Sequence, residues 1–339
     1  MTVDLGPYLS AAPQRVVDRL AAARSVLAVS HENPDADTIG AALAVARIVS
    51  ARGGTADVLC TDPIPPLYRF MAGSDRYRTE PDLEAGYDLA VILDCGSLER
   101  IGEVGARHAA LFELLPRVII DHHASNDAVG ETDWIDPAAA ATCEMVALLA
   151  GRLGVDLAAG DGSLAANLMA GIVMDTATFA HPNASPRTLM VSAALVGAGA
   201  PLSDISRRLY RSKPDSQLRL FGRVLGRLET ADDGRIVWSS LTEADLAETG
   251  SDRAHSEGII DLLSQAETAE VTILFKEAGA STRISVRTRP GGVDATILTG
   301  RFGGGGHARA AGATIEAPLA EARPAVLAEA TRLVSSVSR

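Results

Sequence analysis

Three short apolar runs, Val26 to Val29, Leu89 to Leu93 and Val118 to Ile120, each stop abruptly at polar chemistry. The first runs into Ser30-His31-Glu32-Asn33-Pro34-Asp35-Ala36-Asp37, the second into Asp94-Cys95-Gly96-Ser97, and the third into Asp121-His122-His123. Apolar runs of this length with turn residues behind them read as buried strands ending in loops. Helical stretches such as Thr38 to Ala51 and Cys143 to Leu153 alternate with them. That alternation implies βαβ units and a mainly parallel sheet. The fold class is therefore α/β, and open α/β sheets hold ligands at the carboxyl ends of their strands. A fourth acid, Asp175, closes the apolar segment Ala170 to Met174.

The residues at those ends are metal-ligand types. Pro34 fixes its own φ and disfavours helix at Asn33, so Asp35 and Asp37 project from a stiff turn. Two carboxylates spaced that closely repel unless a cation sits between them. Taken alone, the octapeptide equally suits an Asx-rich cap for a helix starting near Thr38. Four apolar segments all delivering Asp or His are hard to explain by capping. Imidazole and carboxylate together suit Mn²⁺, Fe²⁺ or Zn²⁺. Oxygen donors are in the majority and no cysteine beyond Cys95 joins them, which favours manganese, with zinc as the alternative.

His31-x-x-x-Asp35-x-Asp37, Asp94, Asp121-His122-His123 and Asp175 resemble the four motifs of the DHH phosphoesterase superfamily. That superfamily includes the single-strand exonuclease RecJ, the family II pyrophosphatases and the nanoRNase/pAp phosphatases. Far downstream, Gly303 to Gly306 followed by His307-Ala308-Arg309-Ala310-Ala311-Gly312 is similar to the GGGH-x-x-AAG element of the DHHA1 substrate domain. Arg309 stands where relatives often carry a small residue. The two signatures span nearly the whole chain, and its length and two-lobe layout match the nanoRNase/pAp phosphatase branch. RecJ proteins carry further domains, and family II pyrophosphatases end in a different C-terminal domain.

The resemblance implies a DHH catalytic domain over residues 1–185, a helical linker over 186–225 and a smaller α/β DHHA1 domain over 226–339. It implies two metal ions, one held by His31, Asp35 and Asp94, the other by Asp37, Asp94, His122 and Asp175. Asp94 bridges them, and Mg²⁺, Co²⁺ or Zn²⁺ could replace manganese. Catalytic roles fall to His123, facing the phosphate, and Asp121, orienting an imidazole. Arg287, Gly304, Gly305, Gly306 and His307 are the implied substrate contacts. The implied activity is hydrolysis of short oligoribonucleotides to mononucleotides, with removal of the 3′-phosphate from 3′-phosphoadenosine 5′-phosphate. Linear and cyclic di-adenylate are further candidate substrates, and a homodimer is expected. A RecJ-type exonuclease, a pyrophosphatase and a non-catalytic nucleotide sensor are the alternatives.

The second half has its own pattern. Pro186 to Ala200 reads as a helix, and Pro201 to Arg223 as a polar, arginine-rich helical connector. Strands follow at Ile236 to Trp238, Val271 to Phe275 and Thr282 to Thr288, with helices near His255 to Ser264, Val293 to Thr299 and Leu319 to Val334. A tetraglycine is most often a flexible loop, but here an alanine-rich strand follows it, which argues for a tight turn. Its N–H groups suit an anion, and His307 can donate to one. The remaining histidines, His108, His181 and His255, have no second motif element around them.

Charge bears on the substrate. The net charge of −12 over 339 residues is unlike the broad basic footprint of a protein that tracks long nucleic acid. Between Lys276 and Arg309, however, Lys276, Arg283, Arg287, Arg289, Arg301 and Arg309 face only Glu277 and Asp294. Short nucleotides are thus favoured over long DNA. No uninterrupted apolar stretch reaches the roughly 18 residues of a membrane span. Three scattered cysteines (Cys60, Cys95, Cys143) imply no disulfide framework, and a cytoplasmic location without membrane association is expected.

Overall fold

In the computed structural model, which describes residues 3–124, 126, 130 and 132–337, the apolar runs form β1 (Ser25–Ser30), β3 (Leu89–Leu93) and β4 (Arg117–Asp121). With β2 (Thr55–Leu59) and β5 (Trp134–Ile135) they make an all-parallel sheet of order β2-β1-β3-β4-β5. Alternate side chains serve two cores: Val26, Ala28, Val91 and Leu93 on one face, Leu27, Val29, Ile92 and Ile119 on the other. Burial on both faces explains why these strands are continuously apolar rather than alternating.

Nine helices belong with this sheet: α1 (Gly6–Leu9), α2 (Gln14–Ala22), α3 (Ala36–Ala51), α4 (Glu103–Arg107), α5 (Ala109–Leu114), α6 (Thr142–Arg152), α7 (Ser163–Asp175), α8 (Pro186–Gly197) and α9 (Leu202–Tyr210) among the described residues. α3 and α7 lie close together because glycines stand between them. A Cβ on Gly40 would lie 2.5 Å from the Asn167 carbonyl oxygen, and one on Gly171 2.4 Å from Asp37 Oδ1. The strand order reverses at β1, whose neighbours are β2 on one side and β3 on the other. That reversal opens a crevice at the carboxyl ends of β1 and β3, the place where doubly wound sheets take ligands.

Ala170 to Met174, unlike the other three runs, is the last turn of α7, so Asp175 arrives from a helix end. α7 is buried from Leu164 to Val173 on nearly every side, and a short apolar run from such a helix looks like a strand in sequence.

The chain divides into two compact units, Met1–Ser212 and Lys213–Arg339. The helices of the expected connector are shared between them. α8 and α9 sink Val191, Leu195, Ile205 and Leu209 into the first core, whereas α10 (Asp215–Leu225) belongs to the second unit. There, β6 (Glu229–Ala231), β7 (Ile236–Leu241), β8 (Val271–Ala278), β9 (Ser281–Thr288), β10 (Gly305–His307) and β11 (Ala310–Ile315) form a sheet of order β10-β11-β9-β8-β7-β6. Only β7 and β8 pair in parallel. α11 (Glu243–Thr249) and α12 (Ile259–Leu263) pack with α10 over Leu274, while α13 (Ala295–Gly300) and α14 (Leu319–Val337) cover Ile273, Phe275, Ile284 and Val286. The helix expected over His255 to Ser264 is broken into a 3₁₀ turn, Arg253–Ser256, and α12. Gly258, in the left-handed region at φ +85°, separates them.

No single helix among the described residues is long and apolar enough to cross a membrane.

Candidate metal centre

At the crevice of the parallel sheet, His31 follows β1, Asp94 follows β3, and Asp121 with His122 and His123 ends β4. Asp35 and Asp37 open α3, and Asp175 closes α7. Three groups of potential donors overlap here: His31, Asp35 and Asp94; Asp37, His122 and Asp175; and Asp94, His122 and His123. Within each, the donor atoms lie within 4.8 Å of one another.

Asp94 belongs to two of these groups, as does His122. Asp94 Oδ2 lies 3.5 Å from His31 Nε2 and its Oδ1 3.4 Å from His122 Nε2. Thr142 Oγ1 donates to Oδ1 at 3.1 Å. Asp94 also holds φ +59°, a left-handed conformation uncommon for residues other than glycine, asparagine and aspartate. Such conformations persist where surrounding structure over-determines them, often at functional sites.

Asp35 satisfies both readings of the opening octapeptide. Its Oδ1 caps α3, accepting the N–H groups of Asp37 at 2.9 Å and Thr38 at 3.3 Å, while Oδ2 faces His31 Nε2 at 4.0 Å. Asp37, fully buried, receives the N–H groups of Thr142 and Cys143 at the start of α6. His122 Nε2 stands 3.2 Å from Asp175 Oδ2.

The imidazoles are oriented from behind. His31 Nδ1 lies 2.6 Å from the Glu32 carbonyl, so an N–H there leaves the Nε2 lone pair toward the carboxylates. Arg100 Nη2 also approaches Nδ1, at 3.2 Å. His123 Nδ1 pairs with Asp121 Oδ1 at 2.7 Å, and Asn126 Nδ2 donates to the other Asp121 oxygen at 2.6 Å. His181 sits nearby, its Nδ1 3.1 Å from the Asp175 carbonyl.

The cluster demands positive charge. Burial, together with the Asp175 and Asp94 carboxylates, holds Asp37 well above the ordinary carboxylate range. Burial and then Asp94 raise Asp35, and burial raises Asp175 against the pull of His122. Burial would lower His122 and His31, but hydrogen bonds to Asp175 and Asp94 outweigh it and favour the imidazolium. Burial also opposes ionisation of Asp94, yet the hydrogen bonds from His122 and His31 keep it ionised far below the usual range. Buried carboxylates and imidazoles converging on one place are the donor chemistry of a divalent-ion site. The residues fit one or two divalent ions.

Sequence reasoning missed Thr142, Asn126 and Arg100. Each touches the cluster from a place no motif marks; Asn126 lies in the loop behind His123 and Thr142 at a helix start, and neither carries a local signal.

The second unit holds the other sequence-predicted residues. Gly305 to His307 form β10, paired with Ala310 to Gly312 of β11. Gly304 and Gly306 are sterically required: a Cβ would lie 2.2 Å from the Gly312 oxygen and 2.6 Å from the Ala310 oxygen, respectively. At Gly305 nothing lies within 4 Å of such a Cβ. His307 is exposed, and Arg287 on β9 pairs with Asp261 at 3.1 Å. Arg309 turns back onto the protein, donating to the carbonyls of Arg289 and Val293.

The profile of the DHH family, N-terminal domain, matches residues 25–172, and that of the DHHA1 domain matches residues 235–336. A protein of Thermus thermophilus named bifunctional oligoribonuclease and PAP phosphatase NrnA is 33% identical over 288 residues, 85% of this chain and 83% of that protein. Its namesake in Bacillus subtilis is 26% identical over 84% of this chain and 87% of its own length. The crystal structure of an exopolyphosphatase-related protein from Bacteroides fragilis shares the fold, with a TM-score of 0.86 at 23% identity over 96% of this chain and 98% of that one. The chain belongs to the DHH family, whose phosphoesterases are metal-dependent hydrolases, and it carries the family's DHHA1 domain as well.

Proposed function

We propose that the chain is a manganese-dependent, two-metal phosphoesterase. It hydrolyses short oligoribonucleotides to mononucleotides and removes the 3′-phosphate from 3′-phosphoadenosine 5′-phosphate. The observation that carries this reading is Asp94, a buried carboxylate with one oxygen toward His31 and the other toward His122. Similarity to proteins named as oligoribonuclease and PAP phosphatase, over more than four-fifths of both chains, supports the substrate class.

His31, Asp35 and Asp94 would hold one ion, and Asp37, Asp94, His122 and Asp175 the other. Bound there, the ions supply a water made acidic enough to act near neutral pH and positive charge against the phosphate. A mixed set rich in carboxylates suits Mn²⁺, with Mg²⁺, Co²⁺ or Zn²⁺ as substitutes. Asp121 keeps the proton on His123 Nδ1, which leaves Nε2 to hold or give a proton at a phosphate oxygen or the leaving oxygen. Arg287, His307 and the Gly304-Gly305-Gly306 backbone recognise the nucleotide in the second unit. Linear and cyclic dinucleotides present the same phosphodiester to these groups and belong to the same reading.

The free, buried thiols of Cys60, Cys95 and Cys143 suit a reducing compartment, the cytoplasm. Leu189, Met190 and Val196 leave an exposed apolar stripe on α8, which supports a homodimer.

The test offers the protein, with Mn²⁺ and separately with EDTA, pAp, a diribonucleotide, a cyclic dinucleotide, pyrophosphate and a long single strand. Mn²⁺-dependent turnover of the first two is expected. Strongest activity on the long strand would refute the short-substrate reading, and no metal-dependent turnover at all would leave a nucleotide sensor.

A further inference from the structure

Lys276 on β8 and Arg283 on β9 are direct partners in the antiparallel register. Like charges placed opposite one another across a sheet are destabilising. Among the described residues neither makes an ion pair, although Arg287 on the same face is paired with Asp261, and Arg253 nearby with Glu243. Both cations, Lys276 half-buried and Arg283 exposed, line a cavity of about 510 Å³ whose wall also carries Ser256, Ser285, Gly304, Thr314 and Glu277, the last accepting the Glu243 N–H. That volume is within the range of small-ligand sites. Lys276 is half-buried, and its Nζ finds only the Ser256 hydroxyl, at 3.4 Å. Burial, and then the Arg283 charge, draw its ammonium below the ordinary lysine value.

The choice of lysine is itself informative. Of 31 basic residues in the chain, two are lysines, Lys213 and Lys276. Lys213 stacks over the Phe221 ring, 5.4 Å from its centroid. A lysine presents a compact point charge that suits a phosphate, and an arginine opposite it adds a planar fork of donors. An anion between Lys276 and Arg283 would relieve their repulsion and satisfy both.

We propose that this cavity is a phosphate-binding subsite for a nucleotide, in which Lys276 and Arg283 together neutralise one phosphate group. It rests on the reading of the chain as acting on short nucleotides. Arg283 and Arg287 lie four residues apart on β9, about 14 Å at strand spacing. In this proposal the phosphate held here is a different group from the one Arg287 would meet. It belongs either to a remote part of the substrate or to a second, separate nucleotide.

The presence of two lysines gives a direct readout. Full-length protein, ¹³C-methylated on its lysines and stripped of metal with EDTA, is titrated with inorganic phosphate, AMP and adenosine. The Lys276 signal should shift saturably with phosphate and AMP but not with adenosine, and the Lys213 signal should stay. Arg283→Met should weaken the response about tenfold or more, as expected for losing a charged hydrogen-bond partner. Arg283→Lys, which keeps the charge and guards against a folding defect, should retain most of it. A Lys276 signal unmoved by phosphate and AMP overturns the subsite.

Turnover separates the two sources. If Arg283→Met raises KM for a 5′-phosphorylated dinucleotide and not for its unphosphorylated counterpart, the cavity holds a substrate phosphate. If KM is unchanged for both while the AMP response is lost, it holds a separate nucleotide. The titration needs neither metal nor catalysis. A chain that binds phosphate at Lys276 yet hydrolyses no short nucleotide would refute the proposed activity and leave the subsite standing.

Discussion

Asp37 Oδ1 accepts the backbone N–H of Cys143 at 2.9 Å, across 106 residues of sequence. Its other oxygen accepts the N–H of Thr142 at 2.7 Å, so both free donors belong to the first turn of α6. An unsatisfied helix start favours a carboxylate by its exposed N–H groups and its dipole. A candidate metal ligand is thereby aimed by a helix remote in sequence.

Gly171 guards that geometry. A Cβ there would lie 2.4 Å from Asp37 Oδ1 and 2.4 Å from Cys143 Sγ, closer than real contacts allow. Gly171→Ala should cost about 1–3 kcal/mol, the usual range for overpacking a tight core, and should weaken Mn²⁺ binding. Thermal unfolding and a Mn²⁺ titration check this; unchanged values for both would contradict the role given to Asp37.

Asp94→Asn separates fold from chemistry. Asparagine tolerates the left-handed φ of +59° almost as well as aspartate, so the variant should unfold within a few degrees of the parent. It loses the second anionic oxygen that faces His122 or His31. Steady-state kcat/KM should fall by more than the 10–100-fold typical of losing an outer partner. A variant retaining substantial turnover would remove Asp94 from the centre of the mechanism.

His123 and Asp121 act as a pair, and the leaving group tells what they do. His123→Gln should lower kcat by roughly 10²–10⁴-fold on a ribonucleotide ester if the imidazole supplies a proton. Asp121→Asn, which disturbs only the orientation of that ring, should cost about 10–100-fold. A p-nitrophenyl phosphoester, whose leaving group needs no proton, should be cut by His123→Gln with little loss. Equal losses on both substrates would point to a positional role instead.

Acid stability of the second unit should run through Asp245. Burial alone would raise its pKa, but the Thr242 N–H and the guanidinium groups of Arg227 and Arg223 hold it at about 2, below the ordinary 3.8. A depressed folded-state pKa adds stability that is fully present above pH 4 and lost as pH falls toward 2. The amount is about 2 kcal/mol. Chemical denaturation between pH 5 and about pH 2 should show this decline, and Asp245→Asn should flatten it. A parent and variant with parallel pH profiles would exclude the linkage.

Much of the first unit can be read from its sequence because its strands are local objects. Val26 to Val29, Leu89 to Leu93 and Val118 to Ile120 are apolar on both faces, and a polar loop must follow each. Asp175 shows the limit of that reading. Its apolar approach is the same in kind, yet the segment is the end of a buried helix, and a few consecutive apolar residues cannot separate the two states. In the second unit, the left-handed backbone at Gly258 breaks an expected helix, and nothing in the flanking pattern marks that positive φ.

Local chemistry along the chain specifies which side chains can meet a cation: His31, Asp35, Asp37, Asp94 and the Asp121-His122-His123 run, each placed at the end of an apolar segment. Where those ends converge is a non-local matter. The order β2-β1-β3-β4-β5 depends on how helices pack across the sheet, and it brings the ends of β1 and β3 together at one crevice. The same packing delivers Thr142 to Asp94, Asn126 to Asp121 and the start of α6 to Asp37. It also sets Lys276 against Arg283, a pairing fixed by strand register rather than by spacing in the chain. Hydrogen bonds and repulsions between residues distant in sequence leave no periodicity behind, so the folded molecule alone reveals them.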